Sequence, residues 1–125
     1  MKTHHGSCHC GAVRFEATTV LDRATGCDCS LCRERAALHH RVTPESFRLL
    51  AGAEDLTLYQ FGSKTAKHWF CRRCGIHTFT NPRAAPHLWA IDLRCLDDAD
   101  EEVAAVEIRT FHGRDWEAAV KDHRF

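Results

Sequence analysis

The chain has 125 residues, 44% hydrophobic and 27% charged, the size and balance of one small globular domain. Seventeen Lys and Arg offset seventeen Asp and Glu, and the basic residues are scattered rather than gathered into a stripe, which excludes an electrostatic footprint for nucleic acid. No run is long enough to cross a membrane and the first ten residues hold no apolar segment of a secretory signal, so a reducing, cytoplasmic compartment is expected, where eight cysteines point to metal or catalysis before disulfides.

Along the chain, residues 11–17 alternate as a strand, with Val13 and Phe15 on one face and Arg14 and Glu16 on the other. Thr43-Pro44-Glu45 reads as the capped first turn of a short helix, followed by an apolar run over 47–50 that Gly52 breaks. Residues 56–61 and 67–70 are β-prone and flank the turn residues Gly62-Ser63, which predicts a hairpin. Two more strands are expected over 76–80 and 87–93, separated by a loop with Pro82 and Pro86. Residues 97–102 read as an acidic turn, 103–111 as a strand and 115–121 as a terminal helical turn. The whole chain, 1–125, is read as one domain.

Seven of the eight cysteines fall into three tight groups: Cys8-x-Cys10, Cys27-x-Cys29-x-x-Cys32 and Cys71-x-x-Cys74. Tetrahedral zinc with Zn–S bonds of about 2.3 Å needs sulfurs about 3.8 Å apart, a separation that one or two intervening residues in a tight turn can present. Gly75, after Cys74, can take the positive φ such a knuckle demands. Pairing Cys8 and Cys10 with Cys71 and Cys74 closes a loop of sixty residues, at a cost of about 3.6 kcal/mol plus a constant. Structural zinc supplies about 10–16 kcal/mol in small peptides, which covers that cost and reinforces a thin core. These four sulfurs form one closed, structural site. Cys27, Cys29 and Cys32 remain, one ligand short of a second tetrahedron, and an open position is where zinc does chemistry. Alternatively Cys95, His39 or His40 completes this second site and makes it inert.

The stretches Ser7-Cys8-His9-Cys10-Gly11-Ala12-Val13-Arg14-Phe15, Cys27-Asp28-Cys29-Ser30-Leu31-Cys32 and Phe70-Cys71-Arg72-Arg73-Cys74-Gly75 resemble the glutathione-dependent formaldehyde-activating enzyme family. Leu58-Tyr59-Gln60-Phe61, Lys67-His68-Trp69-Phe70, Asn81-Pro82-Arg83 and Cys95-Leu96-Asp97 look most like its branch that includes centromere protein V, and 111–117 is similar to the family's closing segment. The resemblance implies a mainly β, zinc-clamped β-tent fold and carbon–sulfur lyase activity that joins formaldehyde to glutathione as S-(hydroxymethyl)glutathione. By position, Cys8, Cys10, Cys71 and Cys74 match the family's structural zinc ligands, and Cys27, Cys29 and Cys32 match its catalytic ones. The chain is a short form, without the segments that formaldehyde-specific members carry around their glutathione site. It also lacks the long basic extension of the centromere protein, whose chromatin association is therefore not carried over.

The expected partners are a small thiol such as glutathione and a small electrophile, with two zinc ions per chain, one structural and one catalytic. A rival from another class is a non-catalytic binding module with both zincs structural. A second rival, redox chemistry at Cys95, is weakened because Arg94-Cys95-Leu96-Asp97 lacks polar partners for a nucleophile, so Cys95 reads as a small buried hydrophobe. His68, His77 and His87 receive no role, Arg83 reads as a solvated loop residue, and Trp69, Trp89 and Trp116 read as core or pocket wall.

Overall fold

Strand pairing, rather than side-chain apolarity, decides the first element. Lys2–Ser7 (β1) is a polar hexapeptide, yet it pairs antiparallel with Arg14–Thr19 (β2) from Lys2 opposite Thr19 to Ser7 opposite Arg14. The Thr3 and Thr18 hydroxyls meet at 2.9 Å across this ladder, and the inward position of β1 is filled by the buried His4. In β2 the expected alternation holds: Val13, just before it, Phe15 and Ala17 are buried, and Arg14 is exposed. The strand begins later than residue 11 because 8–13 form a tight loop, closed by Cys8 N–H to Val13 O at 3.1 Å and Gly11 N–H to Cys8 O at 3.1 Å. The computed structural model describes residues 1–122.

The short helix expected after Thr43 is a single 3-10 turn, Pro44–Ser46, and the apolar run beyond it is a strand, Phe47–Ala51 (β5), on the other edge of β2. Its period of two is masked in sequence because Leu49 and Leu50 are both apolar although Leu50 faces out. The first sheet therefore has the order β1-β2-β5.

The second sheet holds Arg23–Cys27 (β3), His39–Val42 (β4), Leu56–Tyr59 (β6), Lys67–Cys71 (β7), His77–Asn81 (β8), Trp89–Asp92 (β9) and Glu107–Phe111 (β10). Its order is β10-β3-β4-β9-β8-β7-β6, and β10 alone runs parallel to its neighbour, β3. The expected hairpin is β6–β7, with Leu56 opposite Cys71 and Tyr59 opposite His68; its connection, 60–66, is wider than the Gly62-Ser63 turn. The strands expected over 76–80 and 87–93 are β8 and β9. The one expected over 103–111 keeps only its second half, because Asp100–Ala105 forms a helix (α2) whose first-turn Asp100, Glu101 and Glu102 suit the positive end of the helix dipole. The terminal helix is Trp116–Asp122 (α3). One further helix, Ser30–Arg35 (α1), joins β3 to β4; these two strands share a single paired position, Thr25 opposite His39.

The two sheets close on an aromatic core. Phe15 meets Phe79 edge-on with centroids 5.6 Å apart, and Phe47 stacks on Trp89 at 4.4 Å, with Val13, Ile91 and Leu93 filling in around them. A bridge from Gly6 to Leu96 and the Asp97 N–H donated to His5 O at 2.9 Å join β1 to the segment after β9. The fold is thus a small, mainly β domain, as the sequence indicated. Phe15 is fully buried at the junction of the sheets, so Phe15→Ala is expected to cost about 3–5 kcal/mol in chemical unfolding.

Candidate metal centres and pocket

Cys8 and Cys10 lie in the loop between β1 and β2, Cys71 ends β7, and Cys74 sits in the following turn. Their four sulfurs lie within 4.8 Å of one another, with Cys8–Cys10 at 3.6 Å and Cys10–Cys71 at 3.7 Å, the edge length of a zinc–sulfur tetrahedron. Each loop is held by its own backbone: Gly75, at φ +79, donates its N–H to Cys71 O at 2.8 Å, and Cys71 donates to Ile76 O at 3.0 Å. Val13 N–H points at Cys8 Sγ at 3.3 Å. Behind the second loop, one oxygen of the nearly buried Asp55 accepts from Arg72 Nε and Arg73 Nε, both at 2.9 Å, and these guanidinium groups, Arg73 foremost, lower the Asp55 pKa. The donor set is four thiols with no acid or hydroxyl among them, which fits zinc.

The second group is assembled on a strand–helix corner. Cys27 ends β3, Cys29 caps α1 with its sulfur accepting the Cys32 N–H at 3.4 Å, and Cys32 is buried in the first turn. The three sulfurs lie within 4.8 Å of one another, and no fourth side chain joins them among the described residues. Crowding splits their acidities: hydrogen bonds from Cys27 and then Cys32 hold Cys29 down at about 2, whereas Cys27 and Cys29 push Cys32 up. Three thiolates this close repel one another, and a cation among them would relieve that repulsion. The residues fit a metal bound by three sulfurs.

Cys32 Sγ is also approached at 3.5 Å by Arg35 Nη2 and by His39 Nε2. Burial first, then the charges of Arg35 and Arg41, hold His39 down at about 3, so its imidazole is neutral. Cys95 does not reach this group. Its sulfur donates to His77 O at 3.5 Å, and burial first, then the charges of Asp92 and Cys8, push it up to about 12, which removes the thiolate a redox nucleophile needs. His40 turns away to Thr19 Oγ1 at 2.9 Å and Arg23 O at 2.8 Å.

A cavity of about 180 Å³ opens on the three cysteines, walled by Phe61, His68, Pro82, Arg83, Phe111 and Trp116. Arg83 is exposed on its loop, as expected, and its guanidinium carbon stands 3.7 Å from the centroid of the Trp116 ring. Trp69 donates its Nε1–H to Asn81 Oδ1 at 3.0 Å and Trp89 stacks in the core. Thr80 Oγ1 is 2.6 Å from His77 Nε2 and 3.5 Å from His68 Nδ1, a network the sequence could not group because its members lie on two strands. His87 is exposed.

The residue that sequence reasoning passed over is Gly113. Asp28, between two of the cysteines, accepts from Arg114 N–H at 3.1 Å and from His112 Nδ1 at 2.9 Å, and Arg114 Nε donates to Asp28 O at 2.9 Å. These bonds, the Arg114 N–H foremost, lower the Asp28 pKa and strap 111–115 across the cysteine corner. A Cβ on Gly113 would lie 2.7 Å from Cys27 Sγ and 2.9 Å from Cys29 Cβ, so only glycine lets the strap pass.

The sequence pattern of the glutathione-dependent formaldehyde-activating enzyme (GFA) family matches residues 3–112. This chain belongs to that family. It is also similar to a Rhodobacter sphaeroides protein of known crystal structure, with 41% identity, a TM-score of 0.76, and coverage of 84% of this chain and 99% of the other. The matched residues include every cysteine of both clusters, whereas the end of the strap and Trp116 lie beyond them.

Gly113→Ala is expected to lower stability by about 1–3 kcal/mol in melting experiments, because the strap or the cysteine corner must shift. Cys95→Ala is expected to leave the metal content per chain unchanged when measured by elemental analysis, since Cys95 belongs to neither cluster.

Proposed function

We propose that the chain is one GFA-type domain over 1–125 acting as a zinc-dependent carbon–sulfur lyase: a small thiol such as glutathione binds at Cys27, Cys29 and Cys32 and forms or breaks an adduct of the S-(hydroxymethyl)glutathione kind. Cys8, Cys10, Cys71 and Cys74 are the structural ligands in this reading. The observation that carries it is a three-sulfur group lining a cavity, which no fourth donor side chain joins among the described residues. Zinc bound there supplies a positive centre that keeps an incoming thiol as its thiolate. In the forward direction the thiol sulfur bonds to the carbonyl carbon and the thiol proton passes to the carbonyl oxygen; cleavage is the reverse.

The chain's own residues contribute placement. Cys29 is fixed by the Cys32 N–H, Cys32 by Arg35 and His39, and Cys27 by the Gly113 strap, so the three sulfurs keep their positions as ligand enters. Phe61, Pro82, Phe111 and Trp116 limit water around the reacting carbon, and Arg83 stands at the Trp116 wall.

One observation favours the binding-module reading instead. His39 Nε2 lies 3.5 Å from Cys32 Sγ, about the spacing of a nitrogen and a sulfur on one zinc. Cobalt substitution separates the two readings. Glutathione is expected to add a sulfur-to-cobalt absorption at one site per chain and to release about one proton per site below the free thiol pKa of about 8.5. An unchanged spectrum means that a protein ligand has closed the site and that the lyase reading is wrong. Cys29→Ser should weaken this uptake more than it lowers the melting temperature, and Cys71→Ser should do the reverse. Equal effects of the two substitutions on melting would remove the division into working site and clamp.

A further inference from the structure

Most polar side chains around the cavity on the cysteines already have partners. His39 Nε2 lies against Cys32 Sγ, Ser63 donates its hydroxyl to Thr65 Oγ1 at 3.1 Å, Arg41 is engaged within the protein, and Arg83 stands exposed at the Trp116 ring. His68 differs. It is only 6% exposed and lines the cavity, yet among the described residues it makes one hydrogen bond, from Nδ1 to Thr80 Oγ1 at 3.5 Å, and its Nε2 makes none. A ring nitrogen withdrawn from bulk water and left without a protein partner is costly unless a ligand or a water answers it.

Sheet register places this ring. Tyr59, His68, Thr80 and Ala90 are successive cross-strand partners on β6, β7, β8 and β9, so their side chains share one face, and the last three line the cavity. The imidazole is then held from several sides. Phe61 stacks on it with centroids 5.6 Å apart and planes at 20°, Tyr59 lies 6.5 Å away, and the Thr80 hydroxyl that meets Nδ1 is itself 2.6 Å from His77 Nε2. Burial first, then the charge of Arg35, hold His68 down at about 4, so the ring is neutral and has one N–H and one lone pair. When His77 Nε2 donates to Thr80 and Thr80 donates to His68 Nδ1, the His68 proton sits on Nε2. The negative charge of Cys29, which acts on His68, favours this order because it draws a proton rather than a lone pair to the free nitrogen.

We infer that His68 is a catalytic residue of the proposed reaction, its Nε2–H donating to the carbonyl oxygen of the electrophile, and that Thr80 is the positioning residue that holds the ring in this tautomer. The inference rests on the lyase reading and adds the group that answers the charge developing on oxygen. As the thiolate sulfur held at Cys27, Cys29 and Cys32 bonds to the carbonyl carbon, the π pair of the C=O bond moves onto oxygen. That oxygen accepts from Nε2–H and then takes from water the proton that the thiol released on binding, so none is gained or lost overall. Cleavage is the reverse. A neutral imidazole suits the task because it donates a hydrogen bond without carrying a charge of its own to the site.

The test compares zinc-loaded wild-type protein with H68Q, H68L, T80S and T80V. Gln keeps an N–H near the place of Nε2 and Leu keeps none; Ser keeps the hydroxyl and Val does not. Exchange of 13C-formaldehyde with S-(hydroxymethyl)glutathione, followed by exchange NMR, gives kcat and KM, and the spectrum of the cobalt form reads thiol uptake. H68L is expected to lower kcat by about tenfold or more while KM for glutathione and its uptake by the cobalt form stay unchanged. H68Q should recover part of that loss, T80V should lower kcat less than H68L does, and T80S should restore it. An unchanged kcat in H68L, or equal losses in H68L and H68Q, overturns the assignment and leaves the lyase reading standing. Wild-type protein that does not accelerate the exchange ends the lyase reading and the role of His68 with it. Ring 15N shifts of His68 in histidine-labelled wild-type protein give a readout independent of activity, and they decide if H68L does not fold. A proton on Nε2 supports the assignment, and a proton on Nδ1 overturns it.

Discussion

The four sulfurs of Cys8, Cys10, Cys71 and Cys74 are the constraint on which the rest of the domain rests. They hold the loop between β1 and β2, in the three-stranded sheet, against the end of β7, near the edge of the seven-stranded one. Between these points the protein offers other cross-links, chiefly Phe15 on Phe79 and the Gly6–Leu96 bridge, but its core is thin and includes the buried polar side chains His4, Thr78 and Asp92. A metal held by these four sulfurs would add a strong cross-link between the two sheets at this corner. The two loops are built for it, since their backbone N–H groups are spent on closing turns around sulfur.

The second cysteine group reverses that logic. Its ligands come from one corner, 27–32, so holding them together closes little chain and fixes little of the fold. What has been invested instead is support from outside: a strap from 111–115 tied to Asp28, and hydrogen bonds from Arg35 and His39 onto Cys32. Support of that kind orients ligands rather than closing chain, which is what the lyase reading proposed above asks of these three sulfurs.

Much of this was legible in the sequence and some was not, for identifiable reasons. Both cysteine partitions were readable because ligand spacing is local, and the β6–β7 hairpin because two β-prone runs flank turn residues. β1 and β4 were missed because their covered positions hold His4, His39 and His40, polar residues that are buried only because neighbouring segments cover them, and β3 because its one buried side chain is the small Ala24. The apolar run at 47–50 hid its alternation, and the acidic stretch at 100–105 became a helix through end effects that a turn reading does not weigh. Gly113 and the His68–Thr80–His77 network were out of reach because both depend on contacts between distant segments.

Charge accounting explains why so many neutral imidazoles surround the three-cysteine corner. Burial lowers His39, His68 and His77, and the Arg35 guanidinium opposes their protonation further, so none adds positive charge at neutral pH. The fixed cation against the corner is then the Arg35 guanidinium, whose Nη2 lies 3.5 Å from Cys32 Sγ, with Arg41 and Arg83 farther along the cavity wall. Three thiolates around one dication leave one negative charge in excess, and a fourth thiolate makes it two. An arginine cannot shed its charge near neutral pH as a histidine does, so Arg35 stays a cation against Cys32 in every state of the corner. In the lyase reading proposed above, that fixed charge favours an anionic fourth ligand over a neutral one.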